Sequence, residues 1–252
     1  MVGNLGKKLI LHLYTGPSPM ARRFLSLDLM TVAMGIAVGI ILVGFALWLR
    51  RGLPRDPGAP LSRRAVFVKA MLEFLETQLL GGFRSPELVR SLFPLLSTLF
   101  LYVLLSNWLS IVPKAEAPTQ NLNVTLGLAV MVYGLSHFYA VRQKGLRRHL
   151  RSYLEPYPFL LPMNLIGDFG RTLSHAFRLF GNILGGSILT AVVLDLAGKA
   201  FTKLGPYLAP VIFTAGVAAG TILNAWFGIF VGFIQALVFA LLAATYIKLF
   251  VD

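Results

Sequence analysis

The chain has 252 residues, of which 56% are hydrophobic and only 13% are charged. Soluble proteins carry about 25% charged residues, so this composition indicates an integral membrane protein. Cysteine is absent, which excludes disulfides, thiolate metal sites and cysteine nucleophiles. The net charge is +13, but the basic residues cluster at the ends of apolar stretches, which favours a role in membrane orientation over nucleic-acid binding.

The first predicted membrane span covers residues 27–49, which are long enough and apolar enough to cross a bilayer. Residues 1–26 precede it as an N-terminal segment. They contain only a short apolar stretch without a convincing cleavage site, so we do not predict a signal peptide. Residues 27–252 are predicted to form one membrane domain.

A predicted amphipathic helix follows a loop that is rich in proline and arginine. Residues 65–80 mix Phe, Val, Met and Leu with Lys69, Glu73 and Glu76, whose spacing places the three charges on one helix face. We expect this helix to lie near the membrane surface rather than to span the membrane.

Four further spans are predicted, over residues 90–112, 121–141, 159–196 and 205–250. The last two regions are much longer than one perpendicular crossing requires, and neither contains a polar turn long enough for a comfortable hairpin. We therefore predict two long, strongly tilted helices joined by residues 197–205. The predicted fold class is an all-α integral membrane protein with about five membrane helices and one amphipathic helix.

Two basic regions set the predicted orientation. Residues 50–69 and 142–151 are rich in arginine and lysine, and the second region is the densest positive cluster in the chain. Because such loops stay in the cytoplasm, the N-terminus is predicted outside and the C-terminus inside. The amphipathic helix is then predicted on the cytoplasmic face, and residues 1–26 outside the cytoplasm.

The fourth predicted span carries a polar stripe on an otherwise apolar helix. It consists of Asp168, Arg171, His175, Arg178 and Asn182, at successive spacings of 3, 4, 3 and 4. These spacings place all five side chains on one face of a helix. A charged stripe inside a membrane favours a functional interpretation, in which it lines water or an ion path.

Arg178 is the central member of the prediction. A charged residue at the centre of a membrane helix costs at least about 2.5–3.5 kcal/mol on insertion scales, which packing alone does not require. An arginine does not titrate near neutral pH, so Arg178 is excluded as a proton relay and acts as a fixed charge. Such a charge repels cations and attracts a carboxylate, which another chain would supply. For Asp168 and Arg171, the alternative is a structural ion pair near the membrane surface.

Four segments of the chain resemble subunit a of the F-type ATP synthases. Phe177–Asn182, with the sequence FRLFGN, is similar to the RLFGN signature of that family. Further similarity lies in Leu105–Pro113, Ala117–Ala129 and Phe230–Ile247. The joint resemblance extends over nearly the whole chain, which makes it specific.

This resemblance implies a stator channel. In this family the two long helices lie tilted against a rotating ring of c subunits, and two offset half-channels bring ions to the ring. Ion flow turns the ring and drives ATP synthesis in the attached catalytic head. The expected partners are the c-subunit ring, the b-subunit stator stalk, the other F-type subunits and the lipid bilayer, with no nucleic acid. The expected location is the bacterial plasma (inner) membrane, and the chain itself is expected to be a non-catalytic transport subunit with no cofactor or metal.

The resemblance also implies roles for individual residues. Arg178 would face the carboxylates of the c ring, with the amide of Gln235 close to it. Gln235 belongs to a second stripe in the last helix, formed by Thr221, Asn224, Gly228, Gly232 and Gln235. A hydrogen bond between helices is the alternative for Gln235, and orientation of Arg178 is the alternative for Asn182.

Two positions depart from the pattern of the family. Many members carry an acid nine residues after the arginine and a histidine seven residues before the glutamine, whereas this chain has Ser187 and Gly228. Neither residue relays a proton by titration. Asp168 and His175 are the predicted replacements, with Asp168 near the cytoplasmic half-channel, although His175 equally fits a neutral hydrogen-bonding role. The sequence leaves the choice between H⁺ and Na⁺ open.

Two other functions compete with the ion channel. A non-conducting membrane scaffold or assembly subunit would use the polar stripe only to hold helices together. A secondary transporter would need broken helices or internal repeats, and none is recognisable in the sequence.

Overall fold

The computed structural model describes residues 10–12, 26–51, 62–83, 85–112, 115, 117–155, 157–203 and 207–251. Five helices within these ranges are long and apolar enough to cross a membrane: Leu29–Arg51, Pro86–Ile111, Leu122–Lys144, Pro158–Thr202 and Ala209–Val251. The predicted all-α membrane fold with five spans is therefore confirmed.

The elements follow one another in a simple order. Two short strands, β1 (Ile10–His12) and β2 (Ser26–Asp28), precede α1 (Leu29–Arg51), α2 (Arg63–Leu80), α3 (Pro86–Trp108), α4 (Leu122–Lys144), α5 (Leu146–Ser152), α6 (Leu161–Lys203), α7 (Ala209–Ala225) and α8 (Gly232–Val251). Single 3₁₀ turns occupy Leu109–Ile111, Pro118–Gln120 and Pro158–Leu160, and a π-helix, Trp226–Val231, joins α7 to α8.

The N-terminal strands pair antiparallel, with Ile10 opposite Asp28. This pairing was not predicted from the sequence. Most of the predicted N-terminal segment 1–26 lies outside the described residues, and its placement outside the cytoplasm stays a prediction.

The amphipathic helix α2 begins two residues before the predicted start. Ser62 is its N-cap, and the Ser62 hydroxyl accepts a hydrogen bond from the backbone N–H of Ala65 at 3.2 Å. Leu75 and Leu79 are buried on its inner face. The predicted charged face is exposed, and there Lys69 and Glu73 form a 3.7 Å ion pair, so the helix has the two-sided character that the sequence indicated.

The core lies where α3, α4 and α8 meet. Leu92, Leu96 and Val103 of α3 are completely buried, and they belong to the same cluster as Ala236 and Ala240 of α8. The small alanines let α8 approach α3 closely, since a packed interior leaves few gaps. This three-helix core supports the longer helix α6, which packs along α4 and α8.

The fourth apolar region is a single helix without a hairpin, as predicted. Helix α6 has 43 residues, which makes it about 65 Å long and thus about twice the thickness of a bilayer core. The helix continues through Lys203, so most of the predicted joining segment 197–205 is helical. Residues 204–206 lie outside the described ranges.

Helices α6 and α7 pack antiparallel and very closely. Gly220 of α7 faces Leu194 of α6, and Phe227 of the π-helix after α7 faces Gly186 of α6. A later residue of one segment thus lies beside an earlier residue of the other, which makes the two antiparallel. A Cβ at position 220 would lie 2.7 Å from Leu194 Cδ2, and one at position 186 would lie 2.7 Å from Phe227 Cγ. At position 186 the overlap includes Phe227 Cβ at 2.8 Å, which no side-chain rotation moves away, so glycine is needed there for the close approach. At position 220 the close atoms are at the flexible end of Leu194.

The fifth apolar region departs from the regular helix that was predicted. The π-helix Trp226–Val231 interrupts it, and such turns widen the backbone spiral. Two side chains at the end of α3 bind carbonyls in and directly after this segment. The Trp108 indole donates to Ile229 O at 3.3 Å, and the Asn107 amide donates to O of Gly232, the first residue of α8, at 2.9 Å. The interruption thus has side-chain partners that stabilise it.

Candidate functional site

The polar stripe of α6 follows the boundary between its buried and exposed faces. At about 100° per residue, its five members span about 80° of the helix circumference. Asp168 and His175 are 4% and 2% exposed, whereas Arg171, Arg178 and Asn182 are exposed. The structure therefore divides the predicted stripe into two inward-facing and three outward-facing residues.

Arg178 lies near the middle of its membrane helix, on the outer surface. It is two residues from the midpoint of the apolar span Pro158–Thr202. Its side chain is exposed, and among the described residues none forms a hydrogen bond or an ion pair with it. A guanidinium at this depth without an internal partner is open to a carboxylate from outside the chain.

Asp168 is the most highly connected polar residue of the site. Its Oδ1 forms an ion pair with Arg171, and its Oδ2 accepts a hydrogen bond from the Tyr153 hydroxyl at 2.7 Å. The ion pair considered as an alternative is thus present. Asp168 is also held by the loop that precedes α6, because Asn164 Nδ2 donates to the Tyr153 carbonyl at 2.9 Å.

Three residues of this cluster were missed by the sequence analysis: His137, His149 and Tyr153. His137 Nε2 lies 2.8 Å from the Tyr153 hydroxyl, and its Nδ1 lies 2.9 Å from the backbone carbonyl of Tyr133. The rings of His149 and Tyr153 are 5.5 Å apart. The sequence offered one sign of this cluster, because His137 lies within the third predicted span. A polar residue in an apolar helix requires a partner, so His137 could have been predicted to bind another polar group.

Burial shifts the pKa of two groups in the loop. It raises the pKa of the Tyr153 hydroxyl, and the adjacent Asp168 adds to that shift. Burial lowers the pKa of His149, with further lowering from His137 and Lys144. His149 is only 4% exposed and its Nε2 has no hydrogen-bond partner in the described part of the protein. The loop therefore disfavours the charged form of the His149 ring.

His175 is fixed against the last helix. Its Nε2–H donates to the carbonyl of Phe239 at 3.1 Å, and its ring centroid lies 3.9 Å from that of Phe239. The opposite nitrogen, Nδ1, has no hydrogen-bond partner among the described residues. The contact shows that His175 forms a hydrogen bond between helices, while both of its predicted roles, relay group and neutral hydrogen-bonding residue, stay predictions.

A small polar cavity lies between Asp168 and His175. Its lining includes Ser136, Thr172 and Tyr246. Its volume of about 10 Å³ is close to the space that one water molecule needs. Asp168 and His175 therefore line the same small cavity inside the bundle.

The predicted residues of the last helix are separated by the π-helix. Asn224 donates to the Ile111 carbonyl at 3.4 Å, Gln235 is half-buried, and Thr221 is exposed. No hydrogen bond links Gln235 to Arg178 within the described ranges. The even spacing expected for this stripe does not hold across residues 226–231, since a π-helix advances fewer degrees per residue than an α-helix.

The two positions that depart from the family pattern have other neighbours. The Ser187 hydroxyl donates to the carbonyl of Leu184 at 2.8 Å. Gly228 is buried, and a Cβ there would overlap the side chain of Ile111. Within the described part of the chain, no group of three or more His, Asp or Glu is arranged to hold a metal ion.

This fold and site define a multi-pass membrane protein with an exposed arginine on a long helix, for which the described residues provide no partner. Residues 31–248 match the family model described as ATP synthase A chain. The chain belongs to this family, and the resemblance stated from its sequence motifs is confirmed.

Named relatives support the same assignment. "ATP synthase subunit a" of Nitrosospira multiformis is 39% identical over 166 residues, which cover 66% of this chain and 57% of that relative. "ATP synthase subunit a 1" of Crocosphaera subtropica is 33% identical over 86% of this chain and 84% of its own length. "ATP synthase subunit a 1" of Chlorobium luteolum is 30% identical over 89% of this chain and 90% of its own length.

Proposed function

We propose that this chain is the ion-translocating stator subunit a of an F-type ATP synthase. The observation that carries the proposal is the position of Arg178, which is exposed near mid-span and has no partner among the described residues. Family membership over residues 31–248 supports the same function. The chain would contribute transport to the complex, while ATP chemistry would take place in other subunits.

In this proposal the open surface around Arg178 faces the ring of c subunits. A ring carboxylate that arrives beside the fixed guanidinium is stabilised in its charged form, so it releases the ion that it carried. Gly181 and Gly185 lie on the same exposed surface, and a Cβ at either position would meet nothing within 4 Å. The small residues leave room for a helix of the ring to come close.

The remaining stripe residues would form parts of two half-channels. Asp168 and His175 face the interior and share a polar cavity, so we assign them to the half-channel near the basic loop. Asn182 would orient the arginine from the exposed face. Gln235 and Asn224 would supply polar groups along the last helix, on the other half of the path.

The orientation proposed from the charge pattern places the loop 142–151 in the cytoplasm. The N-terminus would then be outside, the C-terminus inside, and α2 on the cytoplasmic face of a bacterial plasma membrane. The b-subunit stalk and the other F-type subunits are the proposed further partners. A non-conducting scaffold is the less favoured function, because it gives no role to an arginine that has no binding partner in the described part of its own chain.

The test is ATP-driven ion pumping into vesicles that contain the intact complex, with Arg178→Ala compared with wild type. Arg63→Ala is the matched control, because Arg63 is exposed at the start of α2, outside the five spans. The proposal expects normal assembly and loss of pumping for Arg178→Ala, and unchanged pumping for the control. Wild-type pumping by Arg178→Ala would overturn it.

A further inference from the structure

A continuous chain of hydrogen bonds links α4, the loop after α5, and α6. Tyr153 is in its centre: the hydroxyl oxygen lies 2.7 Å from Asp168 Oδ2 and 2.8 Å from His137 Nε2. The chain ends at the carbonyl of Tyr133, which is 2.9 Å from His137 Nδ1. All three distances are those of normal hydrogen bonds, and we infer that each contact contains one proton.

The donors and acceptors in these contacts show how many protons the three hydrogen bonds require. The Tyr133 carbonyl only accepts, so His137 Nδ1 must carry a proton. A tyrosine hydroxyl has one proton, which it gives either to Asp168 or to His137. The other contact then needs a proton from its own side, on the carboxyl group of Asp168 or on Nε2 of His137. Three protons are required, which is one more than an ionised aspartate, a tyrosine and a neutral histidine supply.

We propose that Asp168, Tyr153 and His137 form a proton relay, which holds one exchangeable proton and passes it between a surface cleft at His137 and the buried cavity at Asp168.

The transfer conserves every proton and breaks no other bond. In one form Asp168 is a neutral acid that donates to the Tyr153 oxygen, and Tyr153 donates to Nε2 of neutral His137. The Asp168 proton moves to the Tyr153 oxygen while the hydroxyl proton moves to Nε2. Asp168 is then a carboxylate, Tyr153 is still a phenol with its hydroxyl reversed, and His137 is an imidazolium whose Nδ1 proton has not moved.

The charges around the relay favour the second form. The groups that face it from the packed elements are Tyr133 of α4, Lys144 at the end of α4, His149 of α5, Arg171 and His175 of α6, and Tyr246 of α8. Arg171 is paired with the other oxygen of Asp168 and therefore favours the carboxylate. We expect the exchangeable proton to reside mainly on His137, which this carboxylate stabilises through Tyr153.

A cavity borders each end of the relay. His137 and Tyr153 line a cleft of about 610 Å³ between α4, α5 and the start of α6, which opens to the surface. Asp168 lines the small cavity that also contacts His175, whose Nδ1 is buried and has no partner in the described ranges. A proton that reaches Asp168 is thus at a cavity that His175 also lines, one helical turn from Arg178.

The first test measures protonation in the intact complex at pH 7. A free aspartate, with a pKa of about 3.9, and a free histidine, with a pKa of about 6.5, would both be mainly unprotonated there. Nitrogen NMR of ¹⁵N-histidine reports on His137, assigned with His137→Gln, and the infrared carboxyl band reports on Asp168, assigned with Asp168→Asn. A doubly protonated His137 is the expected result, and a protonated Asp168 beside neutral His137 would also support the relay.

Tyr153→Phe provides the decisive variant. It keeps the ring that packs near His149 and Phe250 but removes the shared hydroxyl. Tyr157→Phe is the matched control, because Tyr157 is 60% exposed in the same loop. The relay expects the additional proton to be lost only in Tyr153→Phe. An ionised Asp168 with a neutral His137 in wild type, or protonation that is unchanged in Tyr153→Phe, would overturn it.

The second test is proton pumping in Na⁺-free buffer, and it rests on the proposed function. We expect Tyr153→Phe to slow ATP-driven acidification several-fold at normal assembly, and Tyr157→Phe to match wild type. Pumping by Tyr153→Phe at the wild-type rate would refute the transport role of the relay alone. The Arg178→Ala variant tests the proposed function separately, because it leaves the relay residues unchanged.

Discussion

Gly228 packs directly against Ile111, so the Cβ of any other residue at position 228 would overlap the Ile111 side chain. The packing around Gly228 therefore disfavours a histidine at this position. A relay group added at residue 228 would first have to displace the end of α3.

We expect Gly228→Ala to destabilise the protein by about 1–3 kcal/mol, the usual cost of adding atoms to a packed site. Thermal unfolding of the purified chain in detergent would measure the loss. Gly127→Ala is the matched control, because a Cβ at position 127 of α4 meets nothing within 4 Å. Shortening the neighbour, as in Gly228→Ala with Ile111→Ala, should recover part of the stability. Equal stability of the Gly228 and Gly127 variants would contradict this account.

We expect Gly186→Ala to weaken the packing of α6 on the π-helix, and Gly185→Ala to leave the fold unchanged. A Cβ at position 186 would lie 2.7–2.8 Å from three atoms of Phe227, whereas one at position 185 meets nothing within 4 Å. The two variants make the same chemical change at adjacent positions, so helix propensity cancels in the comparison. The measurement is the difference in unfolding temperature between the two variants. A similar decrease in both would point to propensity rather than to Phe227.

We expect Arg178→Lys to abolish coupled pumping although the positive charge is kept. A lysine lacks the planar fork of donors that binds a carboxylate through two hydrogen bonds. The measurement is the ratio of ions pumped to ATP hydrolysed in vesicles. Arg63→Lys serves as the control on an exposed arginine outside the five spans. Full coupling in Arg178→Lys would instead support the scaffold interpretation.

We expect the docking of α5 to weaken as the pH falls. Burial lowers the pKa of His149 in the folded state below its ordinary value of about 6.5. The undocked segment then binds more protons, so stability is complete above about pH 6.5 and decreases as the pH falls toward the folded pKa. The protection factors of the α5 amides, which compare the measured exchange with the intrinsic rate at each pH, should be smaller at pH 5 than at pH 7.5.

His149→Phe is the variant that checks the origin of this pH dependence. Phenylalanine suits the aromatic surroundings, because Phe250 and Tyr153 have ring centroids 5.8 Å and 5.5 Å from that of His149. The variant should retain protection at pH 5 if His149 is responsible. If the α5 protection factors of His149→Phe still decrease at pH 5 as in wild type, another group controls the docking.

The sequence was sufficient for the membrane class, the five spans and the long fourth helix, because these follow from the length of the apolar stretches. It was also sufficient for the stripe spacing, since Asp168 to Asn182 all lie on one regular helix. It did not reveal which stripe residues face inward. That depends on how α6 packs against α4 and α8, and a helical period carries no information about the neighbour.

Neither the relay nor the π-helix could be predicted from the sequence, and the reasons are related. His137, Tyr153 and Asp168 come from three separate elements, and only the fold brings them together. The π-helix depends on Asn107 and Trp108, which donate to carbonyls more than 120 residues later in the chain. Local propensity describes none of these contacts, because each joins distant parts of the sequence.

His175 and Arg178 are consecutive members of the stripe, yet one is enclosed by the bundle and the other lies on its outer surface. Three residues of helix separate them by about 4.5 Å along the axis. Along the helix axis, the buried His175 and the exposed Arg178 are therefore closer together than the length of an extended arginine side chain. Under the proposed function, an ion that leaves the buried end of the stripe would have about one helical turn to travel before it reaches the surface that faces the ring.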